Sequence, residues 1–222
     1  MTAKVALEKK FPSRVIDVPG AISRTVRVVN THGSISVGRS ERAGMFKFKS
    51  AGLVVAFNGG GDEPKDTPAY IDASEISRAI VRAGGIVLNG GRNTGIMQAT
   101  GEVAGKMCLG VNFPEQIKKA KAHNFGTRLV VHPLTRLALL TWCPPIVIVY
   151  SGTLGTFHEL INALVGIKNQ SLYGITAPQL FISQYWKNAL SEHVKSKVIP
   201  KSYLNDVVFF SDRRTVLKQL FN

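Results

Sequence analysis

The chain has 222 residues, of which 45% are hydrophobic and 19% are charged. These values are typical of a globular protein and exclude a disordered or collagen-like chain, and no apolar run reaches the roughly 18 residues that a membrane span requires. The sequence is strongly basic, because 28 Lys and Arg residues against 14 Asp and Glu residues give a formal charge of +14. A charge of this size favours anionic partners: nucleotides, nucleic acid or a membrane surface.

Residues 1–50 carry half of the excess positive charge, because they contain 10 basic and 3 acidic residues. Short apolar runs in this segment predict strands at 15–18, 25–29 and 34–37. Residues 30–33 supply the turn residues of a hairpin between the last two runs. Residues 45–49 alternate apolar and basic side chains, which is typical of an edge strand. We therefore predict a small, basic, β-rich N-terminal extension over residues 1–50.

Strands and helices alternate over residues 51–222. Short, continuous apolar runs predict strands at 53–57, 86–88, 109–113, 128–131, 146–150, 179–182 and 207–210. Helical patterns predict helices at 69–83, 95–107, 135–142, 156–167, 185–194 and 213–221. This order predicts a Rossmann-like α/β domain: a doubly wound, mainly parallel sheet with helices on both faces. Ligands of such sheets bind at the carboxyl ends of the strands.

The cysteine content and the N-terminal residues bear on the compartment. Cys108 and Cys143 are 35 positions apart, which fits no metal-binding motif and suits a reducing environment. Residues 1–14 have neither an uninterrupted apolar stretch nor a small-residue cleavage site. We therefore expect a cytoplasmic protein.

Residues 151–159 follow the most apolar predicted strand and open a predicted helix. Glycines let the backbone approach an anion, and a helix N-terminus offers free N–H groups to it. Gly152, Thr153, Gly155 and Thr156 are therefore candidates for a phosphate cradle. The alternative is a tight turn with Thr156 as the N-cap of the helix. Two glycines and two threonines exceed what a turn requires, which favours the cradle.

Glu159 lies three positions after Thr156, and two interpretations of it stay open. It is either the glutamate of a capping box or a carboxylate that acts beside a bound phosphate. Arg136 precedes it by 23 residues. An isolated arginine at that point would usually be a surface charge.

Two further glycine-rich turns follow predicted strands, at residues 58–61 and 89–95. A glycine pattern alone is weak evidence, but its place between a strand and a helix strengthens it. The candidate nucleotide-binding residues in these turns are Asn58, Gly59, Gly90, Gly91, Thr94, Gly95 and Met97.

Together these motifs resemble a known family. The order NGGRNTGIM, LGVNFPE, Arg136 and IVIVYSGTLGTFHE is similar to the SLOG superfamily, and within it to the LOG group, whose members are often called lysine decarboxylase-like. The signature of that group is PGGxGTxxE, with an arginine 23 residues before the glutamate, as for Arg136 and Glu159. The resemblance runs from about residue 53 to residue 220. The chain departs from the signature at Ser151 and Thr153, and its second turn also resembles the TGGxNTGxM stretch of the SLOG domains in TRPM channels.

The resemblance implies a phosphoribohydrolase that cleaves the N-glycosidic bond of a nucleoside 5′-monophosphate such as AMP. It assigns catalysis to Glu159 and Arg136 and requires no cofactor and no metal. The TRPM-like turn keeps a non-enzymatic nucleotide-binding or sensing module as the alternative. A nucleic-acid-binding protein is less favoured, because residues 1–50 offer few aromatic platforms for bases.

The resemblance also implies a homodimer that pairs through helices near the active site. Four leucines around Arg136 are compatible with such a surface, although burial in the core of the monomer would explain them equally well: Leu134, Leu137, Leu139 and Leu140.

Overall fold

The computed structural model describes residues 14–19, 29–31, 35–39, 45–114, 125–173 and 175–221. The first four strands are β1 Arg14–Pro19, β2 Val29–Thr31, β3 Ile35–Arg39 and β4 Met45–Ser50. They form an antiparallel sheet in the order β1-β4-β3-β2, and β2 and β3 pair as the predicted hairpin. The prediction of an edge strand at 45–49 was wrong, because β4 lies between β1 and β3. Residues 25–28 and 34 of the predicted strands lie outside the described residues.

A second sheet contains the other seven strands, and every neighbouring pair in it is parallel. These strands are β5 Val54–Asn58, β6 Ile86–Asn89, β7 Cys108–Asn112, β8 Thr127–Val130, β9 Ile146–Val149, β10 Gln179–Ser183 and β11 Val207–Phe210. Their order is β11-β10-β9-β5-β6-β7-β8. The chain moves outward from β5 to β8 and then returns to the other side of β5, so the direction of winding switches between β5 and β9.

The helices cover both faces of this sheet. Their bounds are α1 Pro68–Arg82, α2 Gly95–Ala104, α3 Pro133–Thr141, α4 Leu154–Lys168, α5 Gln170–Tyr173, α6 Lys187–Lys195 and α7 Arg213–Phe221. Three short 3₁₀ segments lie at Gly105–Met107, Gln184–Trp186 and Lys201–Leu204. The predicted Rossmann-like α/β fold is confirmed. Helix α5 had not been predicted, because four residues carry too little helical periodicity to detect.

Two hydrophobic cores lie on opposite faces of the sheet, and the alternation of side chains along β5 shows why. Val54 and Ala56 pack into one core, whereas Val55 and Phe57 pack into the other. All four are fully buried, which explains why the strand is a continuous apolar run. Cys143 is buried in the first core, close in sequence to β9.

The antiparallel sheet adjoins one edge of the parallel sheet, since β2 contacts β8 and β1 contacts α3. β8 is the terminal strand of the parallel sheet, so the small sheet lies beside an edge that would otherwise offer unpaired backbone groups. Across the described residues, no helix combines the length and the apolar character that a membrane crossing needs.

Candidate functional site

A cleft of about 270 Å³ opens at the carboxyl ends of β5, β6 and β9, beside the switch in winding. Its volume is close to the lower end of the range of small-molecule sites, about 300–1,000 Å³. Most of the predicted site residues line it: Asn58, Gly59, Gly90, Met97, Arg136, Thr153, Gly155, Thr156 and Glu159. The structure therefore gathers residues from three separate turns into one concave surface.

The N-terminus of α4 forms one wall of the cleft. The helix begins at Leu154, and its N-cap residue Thr153 has a φ of −101°, an extended conformation that threonine adopts without strain. The prediction of a helix start at Thr156 was therefore wrong, and Thr156 is the third helical residue, not the N-cap. The first N–H groups of α4 lack intrahelical acceptors, which makes this end a suitable anion site.

Gly152 shapes this turn although it does not line the cleft. A Cβ at Gly152 would collide with the side chain of Thr156 and would lie 3.0 Å from the backbone nitrogen of Gly60. The Gly60 N–H donates a 2.7 Å hydrogen bond to the carbonyl of Ser151. The absent side chain at Gly152 thus lets the first glycine-rich turn and the start of α4 meet.

Arg136 on α3 and Glu159 on α4 meet inside the cleft. Arg136 Nη1 donates to Glu159 Oε1 at 3.0 Å, and Arg136 Nε donates to the carbonyl of Val111 at 2.9 Å. Only 14% of the Arg136 side chain and 11% of the Glu159 side chain are exposed, so the interpretation of Arg136 as a surface charge was wrong. Glu159 is the sixth helical residue, too far along α4 to serve a capping box, which excludes that alternative.

Burial raises the pKa of the Glu159 carboxyl, and the positive charges of Arg136 and His158 offset only part of this effect. The carboxyl therefore keeps its proton to a higher pH than an exposed glutamate does. A carboxyl whose pKa is moved toward neutrality is better suited to exchange protons with a bound ligand.

The second glycine-rich turn leaves space for the guanidinium of Arg136. A Cβ at Gly90 would collide with the guanidinium of Arg136 and would lie 2.7 Å from the sulfur of Met97. Two buried asparagines hold this turn: Asn89 Oδ1 accepts from the Gly91 N–H at 2.9 Å, and Asn112 Nδ2 donates to the Gly90 carbonyl at 3.2 Å. Gly91 does not line the cleft; it has a φ of +72°, in the left-handed region that favours glycine.

The first glycine-rich turn is held between the other two. The Asn58 side chain is 2% exposed, and its Nδ2 donates to the carbonyl of Leu140 at 3.1 Å. The Gly60 carbonyl accepts from the Ile96 N–H at 3.1 Å. A Cβ at Gly95 would collide with the same carbonyl, so the absent side chain of Gly95 makes this hydrogen bond possible. Gly95 itself does not line the cleft. Thr94, the N-cap residue of α2, also lies outside the lining.

Four lining residues had not been predicted as site residues: Phe57, Gly61, Arg92 and Phe113. Each lies within or immediately beside a motif that the sequence had marked. Phe57 and Phe113 stand at the ends of predicted strands, where apolar residues are explained equally well by the core. Arg92 is the only charged residue among these four. Its positive charge inside a glycine-rich turn is the sequence feature that could have identified it as a site residue.

Other reactive groups lie apart from this cleft. Cys108 is buried, and burial raises the pKa of its thiol to about 12, which disfavours the nucleophilic thiolate at neutral pH. Within the part of the chain that the structure describes, no three His, Cys, Asp or Glu side chains form a metal site. The expectation that the protein needs neither metal nor cofactor stays a prediction.

Comparisons with known proteins agree with the fold. A family model described as the SLOG cluster4 family matches residues 53–200. The molybdenum cofactor binding protein from the phototrophic bacterium Rippkaea orientalis is similar in structure, with a TM-score of 0.56, 20% identity, and coverage of 76% of this chain and 94% of that one. The molybdenum cofactor carrier protein from Chlamydomonas reinhardtii gives a TM-score of 0.51, 17% identity, and coverage of 76% and 97%. No curated protein sequence matches the chain. The SLOG resemblance is thereby confirmed.

Proposed function

Because this chain belongs to the SLOG cluster4 family, we propose that its cleft binds a nucleoside 5′-monophosphate and hydrolyses the N-glycosidic bond. Water adds across the bond between the anomeric carbon and the base: the hydroxyl joins the carbon, and the proton goes to the departing base. The products are free base and ribose 5-phosphate. This activity is that of the LOG group, and we assign it to the parallel-sheet domain over residues 51–222.

The main support for the proposal is the Arg136–Glu159 pair. It lies in the same cleft as the first turn of α4, whose N–H groups lack intrahelical acceptors. The helix end, with Thr153, Gly155 and Thr156, offers donors to a 5′-phosphate. A ribose attached to that phosphate then extends along the cleft toward the carboxylate. The side chains of Met97 and Phe113 offer an apolar surface for the base.

Each member of the pair has a separate role in this proposal. Glu159 stabilises the positive charge that develops on the ribose and accepts the proton of the attacking water, as carboxylates do in glycoside hydrolysis. The departing base takes up a proton from solvent, and Glu159 returns its proton to solvent, so the net proton goes from water to the base. Arg136 fixes the Glu159 carboxylate, and its second bond, to the Val111 carbonyl, fixes the arginine itself. Arg136 is thus a positioning residue for the carboxylate and a contact for the ligand.

The test is the release of base from a panel of nucleoside monophosphates, followed by chromatography and by a colour assay for ribose 5-phosphate. We expect turnover by the wild type and a loss of about 10²–10⁴-fold in kcat for Glu159→Gln, because the amide cannot accept the proton. Glu192→Gln on the exposed face of α6 is the matched control and should retain full activity. Turnover by Glu159→Gln at the wild-type rate would contradict the assignment.

A second candidate is nucleotide binding without turnover. Two observations favour it: Thr153 stands where the LOG signature has its second glycine, and the similar solved structures are those of a cofactor binding protein and a cofactor carrier protein. Calorimetry and the base-release assay separate the two candidates. Binding of a monophosphate without release of base would support the sensor or carrier and contradict the hydrolase.

We further propose that the protein works as a homodimer in a reducing cytoplasm. Cys108 and Cys143 are buried and are not joined in a disulfide, as that compartment favours. Leu134 and Leu154 are 66% and 80% exposed at the starts of α3 and α4, next to the elements that carry the cleft. We take these two exposed leucines as the candidate residues of the dimer surface.

A further inference from the structure

Buried polar atoms without a hydrogen-bond partner concentrate at one edge of the parallel sheet. Over the residues that the structure describes, five side chains at the ends of β5, β6 and β7 have such an atom: Asn58 Oδ1, Arg92 Nε, Asn93 Oδ1, Thr94 Oγ1 and Asn112 Oδ1. A buried polar atom without a partner costs free energy in the folded state. The three asparagine oxygens are acceptors and Arg92 Nε is a donor, so Arg92 is the member of this group whose chemistry suits an anion in the cleft.

Three of these atoms belong to consecutive residues, Arg92 to Thr94, in the second glycine-rich turn. Arg92 lines the cleft, and its Nη1 lies 3.2 Å from the position that a Cβ at Gly61 would occupy. The Thr94 hydroxyl lies 3.4 Å from the same point. The Arg92 guanidinium therefore packs closely against the backbone of Gly61 at the edge of the cleft.

Arg92, in contrast to Arg136, has no carboxylate partner among the residues that the structure describes. Glu159, the one carboxylate among the described residues that line the cleft, pairs with Arg136. No ion pair in the described part of the chain involves Arg92. The cleft therefore presents a guanidinium with no anionic partner from the described residues, and guanidinium groups bind phosphate oxygens strongly.

This region adjoins the proposed phosphate site at the start of α4. The first glycine-rich turn connects them: Gly60 contacts Gly152 and Ser151 on one side, and Gly61 contacts Arg92 and Thr94 on the other. Two anion-attracting points thus lie on either side of a single turn of backbone, within one cleft.

We propose that Arg92 binds a second phosphate group, so that the preferred ligand is a nucleoside diphosphate or a related ligand with a diphosphate group. This inference rests on the proposed function, because it takes the first phosphate to lie at the N-terminus of α4. The N-glycosidic bond remains the bond that is cleaved, and the diphosphate stays on the ribose. Arg92 is a specificity residue for this ligand.

The experiment compares AMP with ADP, GMP with GDP, CMP with CDP and UMP with UDP by calorimetry. We expect the wild type to bind the diphosphate of the preferred base about tenfold more tightly than the monophosphate, or better. Arg92→Gln should reduce that ratio to within about threefold. Arg214→Gln, which removes an exposed arginine from α7, changes the net charge equally and should keep the wild-type ratio.

The outcomes separate the two levels of the proposal. Equal affinities for a monophosphate that binds and its diphosphate would overturn the second phosphate site and leave the proposed function standing. An unchanged ratio in an Arg92→Gln protein that melts at the wild-type temperature would overturn the role of Arg92. If no nucleotide bound to the wild type, both the proposed function and this inference would be contradicted.

Discussion

At the scale of single residues, the burial of the Arg136–Glu159 pair has a cost in stability. Burial raises the pKa of Glu159 despite the adjacent guanidinium, so the ionised carboxylate is less stable here than in water. The burial of this carboxyl therefore has a cost in free energy. Such a cost is typical of a functional site.

The raised pKa of Glu159 predicts how stability depends on pH. Because the folded state holds this proton more tightly than the unfolded chain does, the stabilising contribution is complete below the unfolded pKa, near 4.5, and is lost as pH rises through the folded pKa. Glu159→Gln has no titrating group at this position. We expect the unfolding free energy of the wild type, relative to that of Glu159→Gln, to fall as pH rises above 4.5. Urea denaturation at a series of pH values measures it, and a relative increase would contradict the assignment.

Gly90 leaves the space that the side chains of Arg136 and Met97 occupy. In Gly90→Ala the added Cβ would displace the Arg136 guanidinium and the Met97 sulfur. We expect a loss of about 1–3 kcal/mol in unfolding free energy, together with a loss of base release. Gly155→Ala is the matched control for stability, because a Cβ at Gly155 meets no atom within 4 Å. Equal stabilities of the two variants would show that Arg136 does not depend on Gly90.

At the scale of elements, the sequence predicted all seven parallel strands and six helices, because buried strands are continuous apolar runs and helices have a clear period. It did not predict where α4 begins. The helical pattern suggested a helix start near Thr156, but the chain enters the helix at Leu154. The turn before α4 is shaped by the close approach of Gly152 to Gly60. These residues are far apart in sequence, so no local pattern shows this approach.

The site was predictable to the extent that it is local in sequence. Glycine-rich turns after strands were visible, so most lining residues were identified from the sequence. The supporting contacts were not, because they join distant segments: Asn112 to Gly90, and Arg136 to the Val111 carbonyl. The position of β4 inside its sheet was missed for the same reason, since alternation cannot show how many neighbours a strand has.

The start of α4 gives a prediction for the hydroxyl of Thr156. This residue is 5% exposed and lines the cleft within the first turn. Thr156→Val keeps the shape and the backbone N–H groups but removes one donor. We expect a nucleoside monophosphate to bind about tenfold more weakly, the effect of one hydrogen bond to a charged group. Unchanged affinity, measured by calorimetry with the melting temperature as a check on folding, would place the phosphate elsewhere.

At the scale of the whole molecule, the structure changes which leucines are candidates for a dimer interface. Leu139 and Leu140 are compatible with an interface by sequence, but both are fully buried in the core. Leu134 and Leu154 are the exposed candidates. We expect light scattering to give twice the monomer mass of 24.1 kDa, and the double variant Leu134→Glu, Leu154→Glu to give a monomer. A monomeric wild type at micromolar concentration would contradict the dimer.

The central claim is that the cleft recognises its ligand through a phosphate at the N-terminus of α4. Calorimetry with AMP and adenosine, repeated for the other bases, tests it most directly. Because each charge-assisted hydrogen bond contributes about 1.5–3 kcal/mol, we predict that the nucleotide binds orders of magnitude more tightly than its nucleoside. Equal affinities for every nucleotide and its nucleoside would contradict the phosphate site and the function built on it.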